Sequence, residues 1–458
     1  MPYYKSLLLF TLIISNTRML HAQSADDSLY FKMDEYLDAA NSVYKFNGSA
    51  LVAQHGRIIL QKGYGYKNVA TQALNDTNSI YQIGSITKQF TATVILKLQE
   101  EGKLSVHDKL DKYFPQFLYG NDVTIEHLLT HTSGIYNYTN DIDDNDSAIV
   151  SNPVSKYRVL DLIFNKPLDF PPGTEFRYSN SGYYLLGLII EKVTGLPYET
   201  MIRNLIFTPL QMQHSGFDFR HLTDTNKTTG YSKLDENEHI IAQRWDSTVT
   251  YSAGAIYSTC SDLYKWANAI ANGQILSLAS WRQAFTPHLQ HYGYGLFIDS
   301  SFGNLCIRHS GGLPGFISYF TYYPSEDLTI ILLNNKGYYG EGLAGISTGL
   351  AAIMFHRPYQ LLTAHKEVAI PKDSLKKYTG VYAFDKKHRA YVTLEDNHLQ
   401  IAAPAGGLPK SPLYAESDTF FYLKVVDGII EFVKDAHGNV TELISHANGK
   451  DEECKKIK

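Results

Sequence analysis

The chain has 458 residues, 44% hydrophobic and 19% charged, with 41 Lys and Arg against 46 Asp and Glu. That length suits one large mixed domain plus an appendage, and a net charge of −5 offers no basic face for nucleic acid. After the first segment no run of about 18 apolar residues could span a membrane, and Cys260, Cys306 and Cys454 are too few and too scattered for a disulfide framework or a paired-cysteine metal site.

In chain order, residues 1–22 carry Lys5, the apolar stretch Leu7 to Ile14 and then Leu20-His21-Ala22, the pattern of a secretory leader cleaved after Ala22. The mature protein is expected outside the cytoplasm, periplasmic or secreted, with no lipid anchor. Residues 28–44 read as an amphipathic helix. Gly48 to Asn68 reads as a hairpin, with Val52, Ile58 and Leu60 around a turn at His55-Gly56. A strand-like Ile80 to Ile83 and a glycine then lead into a strongly apolar helix from Gly84 to Glu101.

Val123 to Leu129 runs into His131-Thr132-Ser133-Gly134, and Asp141 to Asn152 is an acidic loop. Helical periodicity returns over 181–195, 198–205 and 261–271, the last opened by a serine cap and an aspartate. Strands follow at 294–298, 306–309, 317–323 and 328–334, then a small-residue helix from Gly345 to Phe355. The hairpin at the start and the strands near the end are expected to form one antiparallel sheet. Residues 23–360 make this domain and 361–370 a linker. Residues 371–458 make a small β-barrel-like domain, with strands at 380–384, 390–394, 399–402, 420–426 and 429–433 separated by the turns Asp396-Asn397, Asp427-Gly428 and Gly438-Asn439.

Ser85-Ile86-Thr87-Lys88 opens the apolar helix, and residues three apart lie on one helical face, so a hydroxyl and an amine are neighbours there. A second S-x-x-K, Ser374 to Lys377, falls outside any such helix. Two further motifs come later in order: Tyr178-Ser179-Asn180 within P-G-T-E-F-R-Y-S-N, and His309-Ser310-Gly311-Gly312 on a strand.

With these three motifs, Leu128 to Gly134, and the S-T-x-x-D-L pattern between Gly254 and Trp266, the chain over roughly residues 40–355 resembles the serine β-lactamase and penicillin-recognising superfamily. It is most similar to the group containing class C β-lactamases, D-alanyl-D-alanine carboxypeptidases, D-aminopeptidases and related esterases. The resemblance implies an α+β, β-lactamase/transpeptidase-like fold, with an antiparallel sheet flanked by helices. It also implies an acyl-enzyme on Ser85, with Lys88 or Tyr178 taking the proton. From ordinary values near 10, half-deprotonation of either base at neutral pH requires about 4 kcal/mol, which burial of the amine and mutual placement of the pair can supply. By the same match, Asn180 binds the substrate amide and Lys88. The backbone N–H groups of Ser85 and Gly312 form an oxyanion hole, and His309, Ser310 and Gly311 line the substrate strand.

His309 stands where β-lactamases and most transpeptidases carry lysine and where related peptidases and esterases often show histidine, so a permanent cation becomes a conditional one and anchoring of a substrate carboxylate weakens. The expected substrates are D-residue peptides, peptidoglycan fragments among them, or small esters and amides. Penicillins are expected to acylate the serine slowly, and neither cofactor nor metal is required. The alternative is a non-catalytic or single-turnover cell-wall sensor. The sequence leaves oligomeric state open and supplies no clear glutamate to activate the deacylating water, Glu175 reading as structural.

Rival sites read less well. His127 and His131 are four apart but lack the glutamate and third ligand of a zinc helix. Asp141, Asp143 and Asn145 lack the glycine and closing glutamate of a calcium loop. Gly345-Ile346-Ser347-Thr348-Gly349 matches a nucleophile elbow, but no strand runs directly into Ser347.

Overall fold

The computed structural model describes residues 27–43, 45–142, 150, 152–337, 342–362, 367–385, 388–395, 397–404, 408–423, 428–447 and 450–457. The leader-like segment 1–22 and most of the acidic loop, including Asp143 and Asn145, lie outside them. The chain divides into two compact units, Met1–Tyr339 with Ile346–Leu362, and Gly340–Gly345 with Thr363–Lys458.

In the first unit, α1 spans 27–42 and buries Met33, Leu37 and Ala40, which recur at helical spacing. β1 (Gly48–Gln54) and β2 (Arg57–Tyr64) form the expected hairpin, and His55 and Gly56 take the positive φ values of 52° and 74° that its tight turn requires. α2 (Thr87–Glu100) follows; it is buried almost throughout, and Trp266 stacks on its Phe90 at 4.6 Å. Next come α3 (Asn180–Thr194), α4 (Ser247–Gly254) and α5 (Cys260–Ala271). The N-cap of α5 is Thr259, whose side chain accepts from the Asp262 N–H, rather than the expected serine.

β3 (Phe297–Ser301), β4 (Asn304–Leu313), β5 (Phe316–Tyr323) and β6 (Leu328–Asn334) then form an antiparallel meander, followed by α6 (Ala344–Met354). The sheet order is β2-β1-β6-β5-β4-β3, with β1 against β6 from Gly48↔Asn334 to Gln54↔Leu328. Residues nearly 290 positions apart thus become neighbours. Every residue of β5 and β6 is buried, because the sheet is covered on both faces, and this explains their nearly unbroken apolar runs. α5 packs against β1 and β6.

The second unit contains a closed antiparallel barrel of eight strands: Gly380–Ala383, Arg389–Glu395, His398–Ala403, Leu408–Ala415, Phe420–Leu423, Gly428–Lys434, Val440–Ala447 and Lys450–Lys456. Its core contains Tyr382, Val392, Ile401, Phe432 and Leu443. Sequence alternation locates five of these strands and misses three. Pro409 and Pro412 interrupt the pattern of Leu408–Ala415. The charged Lys450–Lys456 contributes the buried Cys454 to the core.

Candidate active site

The serine sits where the sheet meets α2. Residues Gly84–Ile86 form a 3-10 turn and the α-helix begins at Thr87, so the expected single helix is a tighter turn feeding a helix. Gly84 takes φ +50°, and a Cβ there would lie 2.7 Å from the Gly312 nitrogen. Ser85 is half-buried, and Lys88, one turn on, is fully buried. Its Nζ lies 2.9 Å from Ser85 Oγ, 2.8 Å from Asn180 Oδ1 and 2.8 Å from the Ala253 carbonyl oxygen.

Two of these partners are carbonyl oxygens and can only accept, so they claim two N–H bonds of the amine. The remaining tetrahedral position faces Ser85 Oγ. In an ammonium that position carries a third N–H, whereas in a neutral amine it carries the lone pair, aimed at the serine hydroxyl. Burial lowers the Lys88 pKa well below the usual lysine range, which favours the lone pair.

Tyr178 and Asn180 arrive on the loop that feeds α3. The Asn180 backbone N–H donates to Asn137 Oδ1 at 3.0 Å and its Nδ2 to Thr139 Oγ1 at 3.2 Å, which orients Oδ1 toward Lys88 and leaves one amide hydrogen for a ligand. The half-buried Tyr178 ring has its centroid 4.9 Å from Lys88 Nζ and 6.2 Å from that of His309.

The third side is β4. A Cβ on Gly311 would meet the Ile83 carbonyl oxygen at 2.0 Å and Ser318 Oγ at 2.4 Å, so the strand approaches the serine turn backbone to backbone, bringing Gly312 beside Gly84-Ser85. Ser318 on β5 bolts the two together by donating to the Ile83 carbonyl at 2.7 Å. Ser310 is exposed.

His309 differs from expectation. It is 1% exposed, with Nδ1 2.5 Å from the Ser310 carbonyl oxygen and Nε2 3.0 Å from the Tyr292 hydroxyl. A carbonyl can only accept, so Nδ1 carries a hydrogen, while Nε2 pairs with the Tyr292 hydroxyl. Both nitrogens are therefore engaged. Burial, with the Arg308 charge nearby, lowers its pKa to about 3, so the ring is neutral near pH 7. It is not a conditional cation near neutral pH.

The sequence matches the Beta-lactamase family over residues 34–351, and residues 364–456 match a domain of unknown function (DUF3471). The chain belongs to the β-lactamase family. It is 30% identical to penicillin-binding protein 4* of Bacillus subtilis (strain 168), over 91% of this chain and 96% of the relative. Among solved structures it resembles an octameric penicillin-binding protein homologue from Pyrococcus abyssi (27% identity, TM-score 0.62, 89% of this chain and 95% of that one). It also resembles a D-stereospecific amidohydrolase from Streptomyces sp. (26%, TM-score 0.59, 68% and 95%). Fold and family are those of a serine hydrolase.

Several parts of this β-lactamase-family site are invisible in the motifs. The Ala253 carbonyl is delivered by α4, whose Tyr251 has φ 40° and ψ −130° inside the helix. The carbonyl of the adjacent Ser252 accepts from Thr91 at 2.7 Å, one turn along α2 from Lys88. Asn137, Thr139 and Tyr292 also belong to the site, and only proximity in space identifies them.

The rival residues have structural employment. Ser347 is buried and pairs with Thr321 Oγ1 at 3.2 Å. His127 takes part in a capping box with Thr124, while the Nδ1 of His131 accepts from the Ser179 N–H, so the two imidazoles do not converge. Among the described residues no group of three His, Cys, Asp or Glu could hold a metal, and Asp141 pairs with Lys166 at 3.3 Å. Glu175 pairs with Arg177 at 3.8 Å. Ser374 lies in the four-residue helix Lys372–Leu375 of the other unit. The three cysteines are buried and free.

Proposed function

We propose that the protein is an exported serine hydrolase that cleaves amide or ester bonds next to D-residues in short peptides through an acyl-enzyme on Ser85. The observation that carries this reading is the three-way hold on Lys88 Nζ, which leaves its free position to the Ser85 hydroxyl. Neutral Lys88 takes the Oγ proton as Oγ bonds to the acyl carbon. The N–H groups of Ser85 and Gly312 receive the oxyanion, a type of contact contributing about 3 kcal/mol or more in transition states. As the bond to the leaving group breaks, the Tyr178 hydroxyl gives that group its proton and recovers one from Lys88. The spare Nδ2 hydrogen of Asn180 and the exposed Ser310 hold the substrate amide along β4. Water then releases the acid from Ser85.

Substrate preference follows from His309. A neutral ring with both nitrogens occupied supplies no charge to anchor a carboxylate, which favours D-amino-acid amides and esters over substrates recognised by a free C-terminus. The likeness to a D-stereospecific amidohydrolase points the same way. Space beyond a small ester is available in a cavity of about 460 Å³ lined by Phe176, Phe297, Asp299 and Arg308 among others; Phe176 lies two residues before Tyr178, and the Phe297 ring packs 5.6 Å from His309. Export rests on the leader-like residues 1–22.

The test is a panel of p-nitrophenyl esters, D-alanyl amides and nitrocefin on wild type and Ser85→Ala, with fluorescent penicillin labelling alongside. Steady turnover of the D-amide that vanishes in Ser85→Ala supports the reading. A burst without turnover identifies a single-turnover sensor instead, and turnover that persists without the Ser85 hydroxyl refutes the acyl-enzyme.

A further inference from the structure

His131 is absent from the mechanism above, yet it touches the Tyr178 segment on every side. Its backbone takes φ +58°, a left-handed conformation that Asn, Asp and His adopt more readily than other side chains. Its ring is 1% exposed. The Arg177 N–H donates to its carbonyl at 2.9 Å, and the Ser179 N–H donates to its Nδ1 at 3.2 Å. The residues immediately before and after Tyr178 are therefore both tied to this one histidine.

Ring packs on ring as well. The His131 and Tyr178 centroids are 4.1 Å apart at 36°, and Phe176, Tyr183 and Tyr292 enclose the imidazole at 5.9, 5.1 and 4.7 Å. The strap extends along its motif. The Thr132 carbonyl accepts from the Gly173 N–H at 2.8 Å, the Gly134 carbonyl from the Asp169 N–H at 2.7 Å, and the Ile135 carbonyl from the Ser179 hydroxyl at 3.2 Å. Because Nδ1 accepts, the hydrogen of the neutral ring sits on Nε2, which is buried with no hydrogen-bond partner among the described residues. A buried donor left unsatisfied costs free energy, and strained, under-satisfied groups persist where the surrounding structure over-determines them, commonly at functional sites.

We propose that His131 is a positioning residue for Tyr178, fixing the backbone on both flanks of the tyrosine and the plane of its ring, and so setting the phenol's place beside Lys88 and Ser85 without touching substrate. The proposal rests on the role given to Tyr178 above. Burial holds the imidazole pKa well below the ordinary histidine range, so the ring is neutral and Nδ1 stays an acceptor for the Ser179 N–H across the working pH range.

The test is a double-mutant cycle on the full chain with a D-alanyl amide. His131→Asn keeps an acceptor near the Nδ1 position and tolerates the positive φ, but removes the ring from Tyr178. Expected is a kcat loss of about 100-fold, the scale of a 1 Å misplacement, with KM nearly unchanged. In a Tyr178→Phe background the same substitution should change kcat by no more than about twofold, the scatter of independent sites. An equal loss in both backgrounds marks a purely structural residue and overturns the proposal, as does an undiminished kcat in His131→Asn alone. If the asparagine variant does not fold, His131→Gln carries the same cycle, and failure of both to fold also decides for the structural role. Ser85→Ala is run in parallel. Its continued turnover refutes the acyl-enzyme itself, whereas additivity beside an inactive Ser85→Ala refutes only the part assigned to His131.

Discussion

Replacing Asn180 by aspartate tests the identity of the base with almost no change of shape. The Oδ1 atom that accepts from Lys88 at 2.8 Å becomes part of a carboxylate, while the Asn137 contact to the backbone N–H is untouched and the Thr139 hydroxyl can turn to donate. Two unit charges at that separation attract by about 6 kcal/mol at an effective dielectric of ~20. At about 1.4 kcal/mol per tenfold change in protonation, this caps the effect at about 4 pH units. Burial of the new carboxylate takes back a part, so a displacement of about 2 to 4 pH units is expected. The sign is fixed: a neighbouring anion favours the ammonium, raises the pKa that burial had lowered, and ties up in an N–H bond the lone pair facing Ser85. The kcat/KM of Asn180→Asp on a D-alanyl p-nitroanilide should therefore fall by at least about 100-fold near pH 7 and recover as pH rises, its rising limb moved to higher pH than in wild type. The thermal midpoint is followed to exclude unfolding. A loss independent of pH, or a limb that stays in place, would refute neutral Lys88 as the acceptor of the Ser85 proton and move that role to Tyr178.

Three further outcomes are expected. Gly311→Ala puts a methyl 2.0 Å from the Ile83 carbonyl, so β4 and the serine turn must part by more than about 1 Å to reach normal contact; ester turnover should drop by about 100-fold and denaturant unfolding should show a loss of about 1 to 3 kcal/mol, whereas wild-type activity would mean that the close approach is not required. For acid stability, His309, lowered to about 3 by burial, binds fewer protons folded than unfolded between about pH 6.5 and pH 3, and His131, also lowered by burial, acts in the same direction. Stability should therefore be lost as pH drops through that window, by up to about 1.4 kcal/mol per pH unit from His309, and His309→Asn should flatten the urea-midpoint curve if the assignment holds. Ser347→Ala should leave kcat/KM for the D-amide within about twofold, since its buried hydroxyl pairs with Thr321; a large loss would reopen the elbow-like motif.

Much of the first unit is legible in the chain because its signals are local. Helical spacing marks α1, α2 and α3, the His55-Gly56 turn marks the β1–β2 hairpin, and apolar runs mark β5 and β6. Short elements are harder to see. Lys156–Phe164 and Leu278–Ala284 are helices that take hold through tertiary packing rather than propensity, and the charged last strand of the barrel shows a single inward residue.

At the candidate site the same division holds. Three short motifs name Ser85, Lys88, Tyr178, Asn180 and the β4 glycines, because each motif is dictated by one local geometry: a helical turn, a loop before a helix, a strand that must lack side chains. Their convergence, and the partners that decide their chemistry, are not local. The Ala253 carbonyl lies 165 residues from Lys88, and Tyr292 lies 17 residues from His309 on a different segment. The residue type at 309 permits a cation, and only the dry, doubly hydrogen-bonded setting of the folded sheet makes it neutral. A lysine and a histidine carry ordinary proton affinities in the unfolded chain; burial and fixed acceptors change them, and both exist only once distant segments have packed together.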